Sequence, residues 1–192
     1  MSKDVYHQIL HIAGNLIQTK GYNAFSYRDI AAQIGVKTSS IHYHFPTKAD
    51  LGKAVVKRHL AALNEQLEKI ITHPKIGYRK KMESFFDSVF EITYLSERKM
   101  CLGGMLASDV LTLPEGIQYE VRQFFQKIEE WLQHLLSQGV KKGEFHPIKD
   151  VNLEATVILS ILEGSLLLAR LYHDEKRLGQ AKKAVLARLS KA

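Results

Sequence analysis

Apolar positions recur every three to four residues almost from the start of the chain. Val5, Ile9, Ile12, Ala13, Leu16 and Ile17 fall on one helical face, and Gly21 closes the run as a C-terminal cap would. Ser26 stands three residues before Asp29, the spacing of a capping box, and Ile30, Ala31 and Ile34 then trace a second helix of about two turns before Gly35. A third helix, from Lys37 to Phe45, is short and polar on one side; Pro46 ends it, because the residue before a proline is pushed out of helical geometry. Thr47 caps a long fourth helix through Leu51, Val55, Leu60, Leu63, Leu67 and Ile70, ending near His73 and Pro74.

The same period continues in Tyr78, Met82, Phe85, Phe86, Val89, Ile92 and Thr93, followed by a shorter, glycine-interrupted element from Met100 to Val110. Pro114 suits the first turn of a helix whose Ile117, Val121, Phe124, Phe125, Ile128, Trp131, Leu132, Leu135 and Leu136 form a stripe too wide for one neighbour. Gly139 and Gly143 are expected to break it. From Leu153 to Leu171 the chain is apolar nearly all round, which implies complete burial, and Leu178 to Leu189 reads as a final basic amphipathic helix. No strand alternation interrupts this pattern.

The fold class is therefore all-α. A three-helix helix-turn-helix domain is expected over 1–50, with the fourth helix, 47–72, as connector to a helical dimerisation and effector domain over 51–192. One chain offers few ways to surround two broadly apolar helices. Two copies pairing them make a four-helix bundle about a twofold axis, so a homodimer is expected through Phe124, Ile128 and Leu135 of one helix and Val157, Ile161 and Leu168 of the other. The 153–171 run is long enough for a membrane, but Glu154, Glu163 and Arg170 would each be costly in lipid, so no membrane partner is expected.

Composition narrows the class. With 45% hydrophobic and 24% charged residues the chain is an ordinary folded protein. Its single cysteine, Cys101, excludes an internal disulfide framework, and the first residues lack a basic-then-apolar signal region, so a cytoplasmic location is expected. The net charge of +7 is uneven: residues 1–60 carry eight Lys/Arg against three Asp, and the rest nineteen against seventeen acidic residues. A polyanion is the natural partner of that basic first third.

Between Tyr27 and Pro46 the residues meet the steric rules of a helix-turn-helix: small Ala31 where the helices cross, Gly35 at the turn, Ile41 as inward anchor. Those three alone fit any αα-corner. The third helix adds Lys37, Thr38, Ser39, Ser40, His42, Tyr43 and His44, hydrogen-bond donors crowded into two turns and suited to phosphates and major-groove base edges. The stretch Ser26-Tyr-Arg-Asp-Ile-Ala-Ala-Gln-Ile-Gly-Val-Lys-Thr-Ser-Ser-Ile-His-Tyr-His-Phe-Pro-Thr-Lys-Ala-Asp-Leu51 resembles the DNA-binding signature of the tetracycline-repressor (TetR) family of bacterial regulators.

That resemblance implies a double-stranded DNA operator facing Arg28 and Thr38 to His44, a phosphate at Lys48, and Phe45 packed inside. His42 stands where the family more often has tyrosine. Met100-Cys-Leu-Gly-Gly-Met-Leu106 looks like the Gly-Cys-Leu segment opening the sixth helix in one branch, and Gly139 to Phe145 looks like that branch's interhelix loop. The resemblance further implies dimerisation through the two long late helices and a small-molecule effector pocket between the fifth to eighth. Phe86, Phe90, Tyr94, Cys101, Met105, Tyr119 and Trp131 are its candidate lining, although aromatics at helical spacing also serve as plain core.

Cys101 has two readings, a small buried hydrophobe or a thiol sensor that neighbouring Arg98 and Lys99 would favour as thiolate. His42 and His44 diverge by about 200° on a helix, so no metal site is expected there, and no cofactor is expected elsewhere. No glycine-rich phosphate loop, His-Glu-x-x-His or Gly-x-Ser-x-Gly is present, so the reading is not an enzyme. A helical protein-binding scaffold without DNA activity is the alternative.

Overall fold

Capping chemistry sets the helix boundaries. The structure, a computed structural model, describes residues 2–190. Among the described residues nine α-helices follow in chain order: α1 (Ser2–Lys20), α2 (Tyr27–Ile34), α3 (Thr38–His44), α4 (Lys48–Thr72), α5 (Tyr78–Phe90), α6 (Leu102–Ser108), α7 (Glu115–Lys141), α8 (Val151–Tyr172) and α9 (Lys176–Leu189). No strand occurs among the described residues. Ahead of α2 the Ser26 backbone N–H and hydroxyl both donate to Asp29 Oδ2 at 2.7 Å. Ahead of α4 the Thr47 hydroxyl donates to Asp50 at 2.6 Å and accepts from the Asp50 N–H at 3.1 Å. The Asp150 carboxylate accepts the Leu153 N–H at 3.0 Å and starts α8.

Two departures from the sequence expectation concern glycine and burial. Gly139 does not break α7, which runs on to Lys141; a Cβ there would collide with the Phe145 ring, so glycine serves close packing, and the chain turns at Gly143, φ 74°. Nor is α8 wholly buried within one chain. Leu153 (61% exposed), Leu167 (56%), Leu168 (41%) and Leu171 (63%) lie with Val157 and Ile161 along an outward stripe, while Ile158, Leu162, Leu166 and Ala169 face inward. It is the one helix among the described residues long and apolar enough to cross a membrane.

The chain forms two compact units. One draws on the chain up to Ala62 together with Leu102–Phe124, the other on Leu63–Cys101 together with the chain from Phe125 onward. Sequence patterning drew the division at 50/51 instead, because nothing in the period of α6 shows that it packs back on α1. In the first unit Ile9, Ala13, Ile17, Ile30, Ile41 and Val56 are fully buried, and in the second Phe86, Met82, Leu132, Leu135, Leu136 and Ile158. There α8 packs along α9.

The residues expected at a dimer interface differ in their exposure within the chain. Phe124, Ile128 and Leu135 are 2%, 4% and 0% exposed within their own chain, so the α7 half of the expected interface is already occupied by intrachain packing. Val157, Ile161 and Leu168 remain on the outward side of α8. Beside them a groove of about 440 Å³ runs between α8 and α9, lined by Ile161, Gly164, Ser165 and Leu168 and by Arg177, Gln180, Ala181 and Ala184.

Candidate nucleic-acid interface

The helix-turn-helix is assembled around α3. Ile41 is fully buried against α1 and α2, and Ala31 is 5% exposed where α2 meets its neighbours. Gly35 takes the left-handed conformation, φ 77°, ψ 32°, that turns the chain from α2 into α3. The buried Tyr27 hydroxyl donates to the Phe45 carbonyl at 2.9 Å and so ties the start of α2 to the end of α3; burial pushes its phenol up to about 12. The ring of Phe45 stacks on Tyr6 of α1 at 5.1 Å.

Fixing α3 this way decides which donors face outward. At about 100° per residue Ser39, His42 and Tyr43 share one side, opposite Ile41, with Thr38 and Ser40 on the flanks. Tyr43 is 80% exposed. His44 falls near the inner edge instead, half-buried with its ring 5.9 Å from Tyr6. The crowd of donors is thus sorted: Ser39, His42 and Tyr43 are free to reach a groove, and His44 is directed toward α1. Lys37 is exposed just before the helix begins.

Arg28, Thr38, His42 and Lys48 meet around one cleft of about 840 Å³, together with Phe25, Ser26, Tyr27, Pro46 and Thr47. The His42 ring stands edge-on to Tyr27 at 4.7 Å, with Nδ1 3.4 Å from the Pro46 carbonyl. Lys48 is turned inward: its ammonium donates to the Phe25 carbonyl at 2.5 Å and lies 4.7 Å and 4.3 Å from the Tyr22 and Phe25 ring centroids. Burial depresses its pKa, with the Asp29 carboxylate opposing the shift. Tyr27 and Thr47 carry this geometry, yet sequence reading treated Tyr27 only as a boundary and Thr47 only as a cap. A tyrosine hydroxyl eighteen residues from its acceptor leaves no periodic signal.

The candidate effector residues divide between the units. In the second, Phe86 and Phe90 are edge-on at 5.7 Å, and Phe85 bridges Phe86 at 5.8 Å and Trp131 at 5.1 Å. The Trp131 indole N–H donates to the Leu67 carbonyl at 3.1 Å. Tyr94 and Cys101 are buried in this same unit. Met105 and Tyr119 belong to the first unit, Met105 half-buried and Tyr119 56% exposed. Cys101 donates its thiol to the Glu163 carboxyl, so the thiol sits beside an acid, an environment opposite to the electropositive one that favours a thiolate. Among the described residues no group of three or more His, Cys, Asp or Glu could hold a metal.

Comparison with known proteins is consistent with this architecture. Residues 9–55 match the model for bacterial regulatory proteins of the tetR family, and residues 80–185 that for the tetracyclin repressor-like C-terminal domain. A TetR transcriptional regulator from Legionella pneumophila is 43% identical, with TM-score 0.90 over 95% of this chain and 96% of that one. Nucleoid occlusion factor SlmA of Vibrio campbellii is 26% identical over 81% of this chain and 78% of its own. HTH-type transcriptional repressor KstR2 of Mycolicibacterium smegmatis is also 26% identical, over 76% and 70%.

Proposed function

We propose that this chain, which belongs to the TetR family of bacterial regulatory proteins, represses transcription from a palindromic operator and leaves it when a small apolar molecule enters its C-terminal domain. It is a DNA-binding transcriptional regulator of a family whose C-terminal domains bind ligands. Such regulators are soluble cytoplasmic proteins and generally not enzymes.

One observation carries the reading of the interface: Arg28, Thr38, His42 and Lys48 line a single cleft beside the outward face of α3. Ser39, His42 and Tyr43 are suited to base edges and sugar-phosphate oxygens in the major groove. Arg28 and Lys37 supply charge at its borders. The Lys48 ammonium gives one of its three N–H donors to the Phe25 carbonyl and keeps two for a phosphate.

A homodimer through the outward stripe of α8 and the facing side of α9 would present two such heads. Half-sites then lie ~34 Å apart, or somewhat more, and the operator repeats with twofold symmetry. Phe86, Phe90, Tyr94 and Trp131 form the apolar side of the effector site, with Cys101 as a non-reactive neighbour. The Met100–Leu106 segment supports placement in the branch whose sixth helix opens on Gly-Cys-Leu.

Selection of bound duplexes from random DNA, followed by fluorescence anisotropy under a salt titration, tests the function. A palindromic consensus is expected, with affinity falling by about 0.9 log unit per log unit of salt for each phosphate neutralised. A selection that yields no consensus, or binding insensitive to salt, overturns it.

A further inference from the structure

One polar group in the second unit has no role in reading DNA. Glu163 lies midway along α8, on the turn that also presents the buried Leu162 and Leu166 to the core. Its Oε2 is buried and has no hydrogen-bond partner. The Cys101 thiol, a weak donor, is bonded to the carboxyl, and burial holds the Glu163 pKa above the ordinary range despite that bond. A buried acceptor left unmet is costly, and a ligand bringing the missing donor recovers part of that cost.

The helix around this carboxyl is apolar, with Leu159, Leu162 and Leu166 buried. Tyr94 is buried within a π-helical turn, Glu91–Leu95, that continues α5 and packs against α8. Such turns recur at functional sites. Three residues after that turn, Arg98 holds a left-handed φ of 53° immediately before Lys99, Met100 and Cys101.

We propose that Glu163, steadied by Cys101, is the polar anchor of the effector site, and that the effectors are apolar molecules carrying a protonated amine whose N–H donates to Oε2. This rests on the reading of the chain as a ligand-released regulator. An ammonium supplies both the missing hydrogen bond and the opposite charge; an alcohol of the same shape supplies only the bond, and a carboxylate is repelled.

Calorimetry on the full-length protein with 4-phenylbutylamine, 4-phenylbutanol and 4-phenylbutanoate separates these cases. The amine should bind about tenfold more tightly than the alcohol, with the carboxylate weakest. Glu163→Gln should bring amine and alcohol to near-equal affinity, while Glu163→Asp, which keeps the charge, should retain a preference for the amine. Circular dichroism and operator binding establish that each variant is folded. Equal binding of amine and alcohol to the wild type, an amine preference that survives Glu163→Gln, or no binding of any of the three overturns the proposal. If the same preparation still binds its operator, the failure is of the amine site alone; loss of operator recognition would instead remove the regulator reading.

Discussion

Lowering the pH should destabilise this protein through His59. The ring sits on α4 beside Phe124, centroids 6.1 Å apart, and burial lowers its pKa from 6.5 to about 4, with the Arg58 guanidinium adding to the shift. Arg58 is itself held nearby by donating to the His7 carbonyl at 3.0 Å. A depressed folded pKa means that the unfolded chain takes up the proton first. His59 therefore contributes its full stability above about pH 6.5 and loses it progressively as pH falls toward 4, below which no further loss arises from this group. At 1.36 kcal/mol per unit the difference is at most ~3.4 kcal/mol; because the side chain keeps some solvent contact, a loss of about 2–3 kcal/mol is expected. Urea denaturation of wild type and His59→Leu at intervals from pH 8 to 4 isolates the effect. Wild type should lose that much more than the variant across the window. Parallel curves for the two proteins would show that the ring is solvated and the reasoning wrong.

Three further perturbations address the interface, the dimer and the thiol. Tyr43→Ala, removing a side chain 80% exposed at the centre of the α3 face, should weaken operator binding by about 1–3 kcal/mol and leave the melting temperature unchanged; equal affinity in anisotropy would place the reading face elsewhere. Leu168→Glu puts a charge on the outward stripe of α8 and should yield monomers in sedimentation, with operator affinity reduced at least tenfold through loss of paired heads; an intact dimer would move the interface off α8. N-ethylmaleimide should act alike on operator binding by wild type and Cys101→Ser, since the thiol is 6% exposed and bonded to an acid; release of DNA from wild type alone would make Cys101 the trigger.

Local chemistry made the N-terminal helices legible. Ser26 with Asp29, Gly35, Pro46 and Thr47 with Asp50 act within a few residues, so the sequence shows both the helix ends and the reason for them. Features decided at long range were not visible in that way. Gly139 reads as a breaker until Phe145 is found lying on it. The donors of α3 look alike until Tyr6 and Ile41 fix the rotation that sets His44 apart from Tyr43. Phe124, Ile128 and Leu135 are as apolar as Leu168, and only packing distinguishes a face buried within the chain from a face left exposed. Glu163 entered the sequence argument solely as a charge unsuited to lipid; its orphaned oxygen exists only once α8 is packed.

The first unit is built from two separated stretches of chain, and this bears on how the protein is made. Gly21 lies against Met105 and Asp109, Asn23 donates to Thr112 at 2.8 Å, and Lys57 pairs with Glu120 at 3.3 Å. A ribosome that has delivered α1 to α4 has therefore not yet delivered the whole DNA-reading head. Its remaining wall arrives after Leu63–Cys101 has been synthesised, so nascent chains halted near residue 70 should show apolar α1 surface to chaperones and proteases, and chains in which Phe124 has emerged from the ribosome should not.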